Sequence, residues 1–279
     1  MGPGVVLRAL TYNIHRWRGN DERVDVGRVA DIIAASAADI ITLNEVLHPL
    51  DVPGAAQPAL ARLAEHLQMQ FVFAPTIPPG PFDQPATAYG NALLSRYPVL
   101  AYASHRLTTP AAHEPRGLLE ARVQLAASRT LTVYGTHLDH KRESVRLAQV
   151  QALLLWTSRD RSRPHLLMGD FNTVSPTDYA EDAAGLRELQ AHPDLARLVA
   201  EGLHVVPRLS KAGYDDCFAL AGTGPRATFT TDNELARIDF CFAAGSLTQR
   251  VMACQRLDSE LVRLASDHFP LLTSFDTPF

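Results

Sequence analysis

The sequence has few cysteines and no long hydrophobic run. Its 279 residues include three cysteines, Cys217, Cys241 and Cys254, an odd number without Cys-x-x-Cys spacing. We therefore expect neither a disulfide framework nor a structural zinc site, and a reducing, cytoplasmic location is the default. The longest unbroken apolar stretches, such as residues 152–156, fall far short of the ~20 residues that a membrane-spanning helix needs, so no transmembrane segment is predicted.

The sequence also lacks an excess of positive charge. The formal net charge is −4 at pH 7. This balance argues against a protein held on nucleic acid mainly by a broad basic face, although it leaves nucleic acid open as a substrate. The first residues contain neither a basic segment nor an apolar segment of the secretory type, so export is not expected.

What is present indicates a folded chain rich in sheet. The composition is 46% hydrophobic and 20% charged, unlike that of disordered chains. There is no internal repeat or low-complexity block, so we predict one domain over residues 1–279. Apolar periodicity predicts strands at 5–15, 40–46, 71–75, 89–96, 100–107, 117–126, 130–137, 165–171, 227–230, 237–242 and 270–275, helices at 26–37, 59–67, 144–159 and 182–201, and loops at 76–84, 173–184 and 208–215.

Polar residues interrupt these strands near their ends. Period-two alternation puts Asn13 and His15 on one face of the first strand, and it puts Glu45 on the face of Ile41 and Leu43 in the second. Burying such groups is tolerated when they meet a metal, a partner or a substrate. The same arrangement recurs at His137, Asp170, Asn172, Asp239, Asp267 and His268.

These residue types indicate metal-assisted phosphoryl hydrolysis. Carboxylate and amide oxygens are hard ligands that suit magnesium or manganese, while the absence of clustered Cys or paired His ligands disfavours zinc. A histidine close to an aspartate can be oriented by it and become a better base.

The order of the polar motifs resembles that of the endonuclease/exonuclease/phosphatase superfamily, the fold of pancreatic deoxyribonuclease. The resemblance extends from Leu7 to about Phe275. It implies an α/β (α+β) fold, a four-layer sandwich of two packed mixed β-sheets flanked by helices. The motifs that carry it are Thr11-Tyr12-Asn13, Leu43-Asn44-Glu45, Gly90-Asn91-Ala92, Arg116-Gly117, Thr136-His137-Leu138, Gly169-Asp170-Phe171-Asn172, Arg237-Ile238-Asp239 and Ser266-Asp267-His268.

The resemblance also implies a metal site. Glu45 matches the direct ligand of the family's metal ion, magnesium or manganese, and Asn13 matches its close support. Asp267 matches a residue placed beside the metal. The same residues could hold one ion or two.

Five further residues match the family's catalytic positions. Asp170 matches the aspartate that aligns or deprotonates the attacking water, and Asn172 matches the asparagine that holds the phosphate oxygens. His268 matches the essential histidine, a general base or transition-state stabiliser, with Asp239 as its orienting carboxylate. His137 matches the histidine that stabilises phosphate charge in the phosphodiesterase and sphingomyelinase branches.

Other residues are open to two interpretations. Arg116 is either a phosphate contact or an ordinary ion pair, and Asn91 is expected to brace the site without touching substrate. His15 stands where the abasic-site nucleases carry an aspartate, which moves the chain towards bacterial hydrolases and lipid or small-molecule phosphodiesterases of the superfamily. Trp17 is predicted to be an exposed loop aromatic, and Trp156 a core anchor.

The function predicted from these observations is a magnesium- or manganese-dependent phosphodiesterase. We expect its substrate to be a small molecule or a lipid headgroup rather than nucleic acid, with specificity in the three predicted loops. Two alternatives stay open, a DNA or RNA nuclease and a non-catalytic binding platform on the same fold. The sequence does not indicate a protein partner.

Overall fold

The computed structural model describes residues 5–80, 82 and 84–277. Residues 1–4 of the predicted domain, Pro81 and Asp83 of the predicted 76–84 loop, and residues 278–279 lie outside the described residues. The strands are β1 (Val5–Asn13), β2 (Ile40–His48), β3 (Gln70–Ile77), β4 (Ala88–Ser95), β5 (Val99–Arg106), β6 (Gly117–Ala126), β7 (Arg129–His137), β8 (His165–Asp170), β9 (Tyr214–Asp216), β10 (Asp239–Ala244), β11 (Val251–Arg256) and β12 (Leu271–Thr277). The helices are α1 (Val26–Ser36), α2 (Ala59–Leu67), α3 (Glu143–Thr157), α4 (Ala183–Ala191), α5 (Val205–Lys211), α6 (Cys217–Ala221) and α7 (Glu260–Ala265).

The strands form two sheets of six strands each within the described part of the chain. The order is β11-β12-β1-β2-β4-β3 in the first sheet and β5-β6-β7-β8-β10-β9 in the second. The pairs β1–β2 and β7–β8 are parallel, and the other pairs are antiparallel. Both sheets are therefore mixed, which confirms the predicted fold class.

Three apolar layers hold the sheets and helices together. The two sheets face each other across one core, to which Leu7 and Leu93 contribute from the first sheet and Val133 and Met168 from the second. Helices α1, α2 and α7 cover the outer face of the first sheet, and α3 and α5 cover that of the second. Each fully buried aliphatic side chain in these layers stabilises the fold by ~1.5–3 kcal/mol.

Strand alternation brings the polar strand ends together. In β1, Leu7 and Ala9 face the second sheet while Leu10 and Tyr12 face the helices, so the odd-numbered Asn13 continues the inner face. The same alternation directs the ends of β7 and β8 and the start of β10 inward. The polar ends therefore meet between the sheets, at one edge of the inner core.

Several predicted elements are wrong in detail. Residues 227–230 form isolated bridges at Phe229 rather than a strand. The predicted helix 182–201 breaks after α4 into a turn at Ala196–Leu198. The predicted loop 208–215 is the end of α5 followed by β9. Elements β9, β11, α5, α6 and α7 were not predicted, because each is short and its apolar pattern covers few residues.

The burial of both tryptophans was also predicted wrongly. Trp17 is buried, and its indole N–H donates to the carbonyl of Leu47 at 3.2 Å. Trp156 is 40% exposed and stacks on His105 with ring centroids 4.0 Å apart. Within the described ranges, no helix combines the length and the apolar character that crossing a lipid bilayer requires.

Candidate active site

The strand register places two carboxylates opposite each other at the inner edge of the sheets. Asp239, the first residue of β10, pairs in register with Asp170, the last residue of β8. His137, the last residue of β7, pairs with Asp170 on the other side. Asn13 ends β1 in the facing sheet and donates from Nδ2 to Asp170 Oδ2 at 3.0 Å. The predicted residues of both sheets are thus in direct contact.

His268 and Asp239 form a buried pair. His268 Nδ1 lies 2.8 Å from Asp239 Oδ2, and His268 Nε2 lies 3.7 Å from Asp170 Oδ2. Burial alone would lower the pKa of His268, but the charges of Asp239 and Asp267 outweigh it and raise the pKa to about 10. The imidazole is therefore a cation at neutral pH, donating through Nδ1 to Asp239 and presenting Nε2–H to the pocket.

Asp170 is held by polar contacts on both carboxylate oxygens. The backbone N–H of Asn172 donates to Oδ1 at 2.8 Å, while Oδ2 accepts from Asn13. Burial, and next the charge of Asp239, raise the pKa of Asp170 to about 7. A carboxylate with such a pKa can take a proton near neutral pH, as a general base must.

A bulge in β2 directs Glu45 into the site. Ile41 and Leu43 pack under the helices, so unbroken alternation would send Glu45 to that outer face, as the sequence predicts. The register between β2 and β4 instead shifts between Leu43 and Val46, and Glu45 has a positive φ of 57°. Its Oε1 accepts from Asn13 Nδ2 at 3.3 Å. The predicted shared face is therefore wrong, although the residue does reach the pocket.

His137 is a neutral donor because of Arg116. A guanidinium can only donate, and Arg116 Nη1 lies 3.1 Å from His137 Nδ1. Burial, and next the charge of Arg116, hold the pKa of His137 well below its usual range. The single ring proton therefore lies on Nε2, which is 3.4 Å from Asp170 Oδ2. Arg116 also pairs with Glu114 at 2.6 Å, so the ion-pair interpretation describes its contacts in this structure.

Gly169, three residues before Asn172, occupies a backbone position that has no room for a side chain. Gly169 has a φ of 142°, and a Cβ there would lie 1.8 Å from the carbonyl oxygen of Thr136. Because of this close approach, β8 can end beside β7 with Asp170 and Asn172 at the pocket. Asn172 Nδ2 donates to the carbonyl of Leu138 at 3.1 Å and lies 3.0 Å from His137 Nε2.

Asn91 lies behind the site as a brace. Its Oδ1 accepts from Asn44 Nδ2 at 2.9 Å, and Asn44 Oδ1 accepts the backbone N–H of Asp170 at 3.0 Å. Asn91 Nδ2 donates to the carbonyl of Gly117 at 3.2 Å. The sequence did not predict that Asn44 links Asn91 to Asp170, because neither the residue type of Asn44 nor its position in β2 indicates a hydrogen-bond chain behind the site.

His15 and Asp267 lie at the rim of the site. The backbone N–H of His15 donates to Asn13 Oδ1 at 3.1 Å, and its Nδ1 lies 3.8 Å from Asp267 Oδ1. His15 has a positive φ of 44° and begins a short turn. It therefore does not continue the face of β1 as predicted, since the strand ends at Asn13.

The donor chemistry of the site fits a divalent cation. Glu45 and Asp267 are partly exposed carboxylates that line one pocket, and Asp170 and Asp239 lie buried beside them. Asp239 Oδ1 is buried without a hydrogen-bond partner among the described residues. Four carboxylates gathered at one site, one of them with an unpartnered buried oxygen, suit a hard cation. Asn13 turns its amide N–H towards Glu45, which fits the predicted role of support rather than ligand.

A tighter group of possible ligands lies deeper. The ligand atoms of Asp170, Asp239 and His268 all lie within 4.8 Å of one another. The His268–Asp239 contact already uses two of these atoms. We interpret the group as the histidine pair with its neighbouring aspartate.

The site opens into a pocket of about 340 Å³. Several of its lining residues were not predicted as site residues, because nothing in their local patterns marks them. These are Arg16, Tyr89, Glu114, Arg197 and Phe229. Ile77 and Phe82 belong to the predicted loop 76–84, where specificity is expected, and His140, which the sequence places near the pocket without a task, also lines it.

Comparisons with known proteins agree with this architecture. The model of the Endonuclease/Exonuclease/phosphatase family matches residues 10–268. The chain is 29% identical over 274 residues to the uncharacterised protein YbhP of Escherichia coli, a match covering 95% of this chain and 94% of that protein.

Solved structures with this fold include an endonuclease/exonuclease/phosphatase from Beutenbergia cavernae, with a TM-score of 0.74, 24% identity and coverage of 98% of this chain and 72% of that one. The mannosyl-6-phosphatase Bt3783 of Bacteroides thetaiotaomicron has a TM-score of 0.65 and 18% identity, with 96% of this chain and 98% of that one covered. Truncated TDP2 of Caenorhabditis elegans has a TM-score of 0.61 and 18% identity, with 98% of each chain covered.

Proposed function

The chain belongs to the endonuclease/exonuclease/phosphatase family, and from this premise we propose that it is a divalent-metal-dependent phosphodiesterase. Members of this family are generally hydrolases of phosphoesters. The observation that carries the proposal is the buried Asp239–His268 pair beside Asp170, at 2.8 Å and 3.7 Å, in a pocket.

In the proposed reaction, a water oxygen attacks phosphorus in line with the leaving alkoxide oxygen. The proton of this water passes to Asp170, and the bond between phosphorus and the leaving oxygen breaks with its electron pair on that oxygen, which takes a proton from solvent as the alcohol departs. His268, kept cationic by Asp239, stabilises the negative charge that develops in the transition state. The N–H groups of His137 Nε2 and Asn172 Nδ2 hold the non-bridging oxygens. The raised pKa of His268 favours the role of stabiliser over that of base.

A magnesium or manganese ion would supply neutralisation of charge on the phosphate when bound. We assign its binding to Glu45 and Asp267, with Asn13 orienting Glu45 through the contact at 3.3 Å. This assignment rests on the set of carboxylates and on the family. The identity of the metal is part of the proposal.

The pocket size supports a small substrate. A volume of about 340 Å³ is at the lower end of the ~300–1,000 Å³ of ligand pockets. We therefore propose a small molecule or a lipid headgroup rather than nucleic acid, in keeping with the net charge of −4.

A parallel assay tests the proposal. Purified protein is incubated with bis(4-nitrophenyl) phosphate, 4-nitrophenyl phosphate and supercoiled plasmid, with magnesium, manganese or a chelator. Metal-dependent cleavage of the diester with intact plasmid is the expected result. Asp170→Asn should lower kcat/KM about 100-fold or more. Asp160→Asn removes another buried carboxylate, one that accepts from Tyr134 at 2.8 Å outside the pocket, and should retain activity.

Three other outcomes would contradict the proposal in different ways. Efficient nicking of plasmid would favour the nuclease alternative, and cleavage of the monoester alone would favour a phosphatase. Failure to turn over any substrate with either metal would favour the binding platform.

A further inference from the structure

Arg197 is fixed in the pocket by two backbone carbonyls. It lies in the short turn Ala196–Leu198 and is half-buried. Its Nε donates to the carbonyl of His140 at 2.9 Å, and its Nη1 donates to the carbonyl of Asp194. These two contacts set the orientation of the guanidinium plane without neutralising its charge.

Arg197 differs from the other arginines of the pocket in its counter-charge. Arg16 faces Glu45 at 3.5 Å, and Arg116 faces Glu114 at 2.6 Å. In the part of the chain that the structure describes, no carboxylate lies within ion-pair distance of the Arg197 guanidinium. A half-buried guanidinium without a counter-charge is costly unless an anion binds to it.

The charges around Arg197 favour the binding of an anion beside it. Burial, and next the charge of Arg146, lower the pKa of Arg197, while Asp170 and Asp194 act in the opposite direction from longer range. The carboxylate of Glu143 is paired with Arg146 at 2.9 Å, so it is not a free counter-charge for Arg197.

His140 adds a neutral donor to the same part of the pocket. Arg116 Nη2 lies 3.3 Å from His140 Nδ1, which must therefore accept. Burial, and next the charge of Arg116, lower the pKa of His140. The ring proton is then on Nε2, and both His140 and Arg197 line the pocket.

We propose that Arg197 and His140 form a subsite for a second anionic group of the substrate, a phosphate or a carboxylate. This inference rests on the proposed phosphodiesterase function and narrows its substrate class to diesters with a charged ester arm. The scissile phosphate already has donors in His137, Asn172 and His268, whereas nothing in the proposed mechanism uses Arg197. Guanidinium groups are suited to bidentate recognition of both phosphate and carboxylate.

The test compares two chromogenic diesters that differ only in the second charge. One series carries 4-nitrophenol on a phosphate whose other ester arm is an alkyl chain of two to four carbons. The matched series ends the same chain in a phosphonate or a carboxylate. Nitrophenolate release gives kcat/KM for both on one enzyme sample, so their ratio does not depend on the fraction of folded protein.

In wild-type protein, kcat/KM for whichever charged diester reacts faster, the phosphonate or the carboxylate, should exceed that of its uncharged match about tenfold or more. Arg197→Gln should abolish this preference while leaving kcat/KM for the uncharged diester within about threefold. Arg197→Lys should keep part of it, because the charge is retained. Arg187→Gln, which removes an exposed arginine of α4, should leave the preference unchanged.

An equal loss of kcat/KM for charged and uncharged diesters in Arg197→Gln would overturn the inference, since Arg197 would then serve the scissile phosphate or the fold. Absence of any preference in wild-type protein would also overturn it, although the phosphodiesterase function would stand.

A binding measurement separates the two proposals if no diester is cleaved. Calorimetry at fixed excess magnesium compares propane-1,3-bisphosphonate with propylphosphonate. Tighter binding of the bisphosphonate in wild-type protein, lost in Arg197→Gln, supports the subsite even without turnover. Equal affinities for the two probes would contradict it.

Discussion

Arg237 offers the sharpest test of how the fold supports the site. Its guanidinium is fully buried and binds Asp178 at 2.8 Å and Asp216 at 2.6 Å, while Phe240 stacks on it at 4.3 Å. These contacts join the segment after β8 to β9 and to β10, two residues before Asp239. Arg237→Met should therefore leave two buried carboxylates without a counter-charge.

Removing one partner of a buried ion pair costs ~3–5 kcal/mol. Because Arg237 serves two carboxylates, we expect a loss of about 4–5 kcal/mol, a large part of the ~5–15 kcal/mol that stabilises most domains. Urea unfolding should show a lower midpoint with an unchanged slope. Adding Asp178→Asn should restore part of the loss.

The exposed Arg187 supplies the control, since Arg187→Met should change stability by no more than ~0.5 kcal/mol. A loss below about 1 kcal/mol in Arg237→Met would refute the reasoning, because the two carboxylates would then have other means of compensation.

Two further predictions concern the second sheet. Gly169→Ala should cost about 3 kcal/mol or more and displace the following Asp170, because its Cβ meets the Thr136 carbonyl; near wild-type melting temperature and activity would contradict this. Burial lowers the pKa of His165 from 6.5, so stability present above pH 6.5 falls as pH drops below that value. In urea titrations, His165→Asn should reduce the loss of unfolding free energy at pH 5.5 by at most about 1.4 kcal/mol. An unchanged pH dependence would contradict the lowered pKa of His165.

The sequence predicted the site best where strand alternation continues unbroken to the strand end. In β1, β7, β8 and β10, every second residue faces the inner core. The same two-residue step places Asn13, His137, Asp170 and Asp239 on that inner face. For these residues, the local period decided the face, and the sheet register then brought the ends together.

The prediction failed where the backbone departs from that period. At Glu45, the bulge reverses the face, and no residue type in Leu43-Asn44-Glu45 marks a bulge. At Trp17, a turn with positive φ folds the indole back onto β2. Arg197 reaches the pocket through a turn that ends a broken helix, a tertiary placement that helical periodicity could not indicate.

We propose that the Asp239–His268 pair beside Asp170 performs phosphodiester hydrolysis. The most direct measurement is metal-dependent kcat/KM for bis(4-nitrophenyl) phosphate in wild-type protein, His268→Asn and His113→Asn. His113 forms a matched pair with Asp139, also at 2.8 Å, outside the pocket lining. We predict a loss of about 100-fold or more in kcat/KM for folded His268→Asn, and little loss in His113→Asn. Near wild-type kcat/KM in folded His268→Asn would contradict the account.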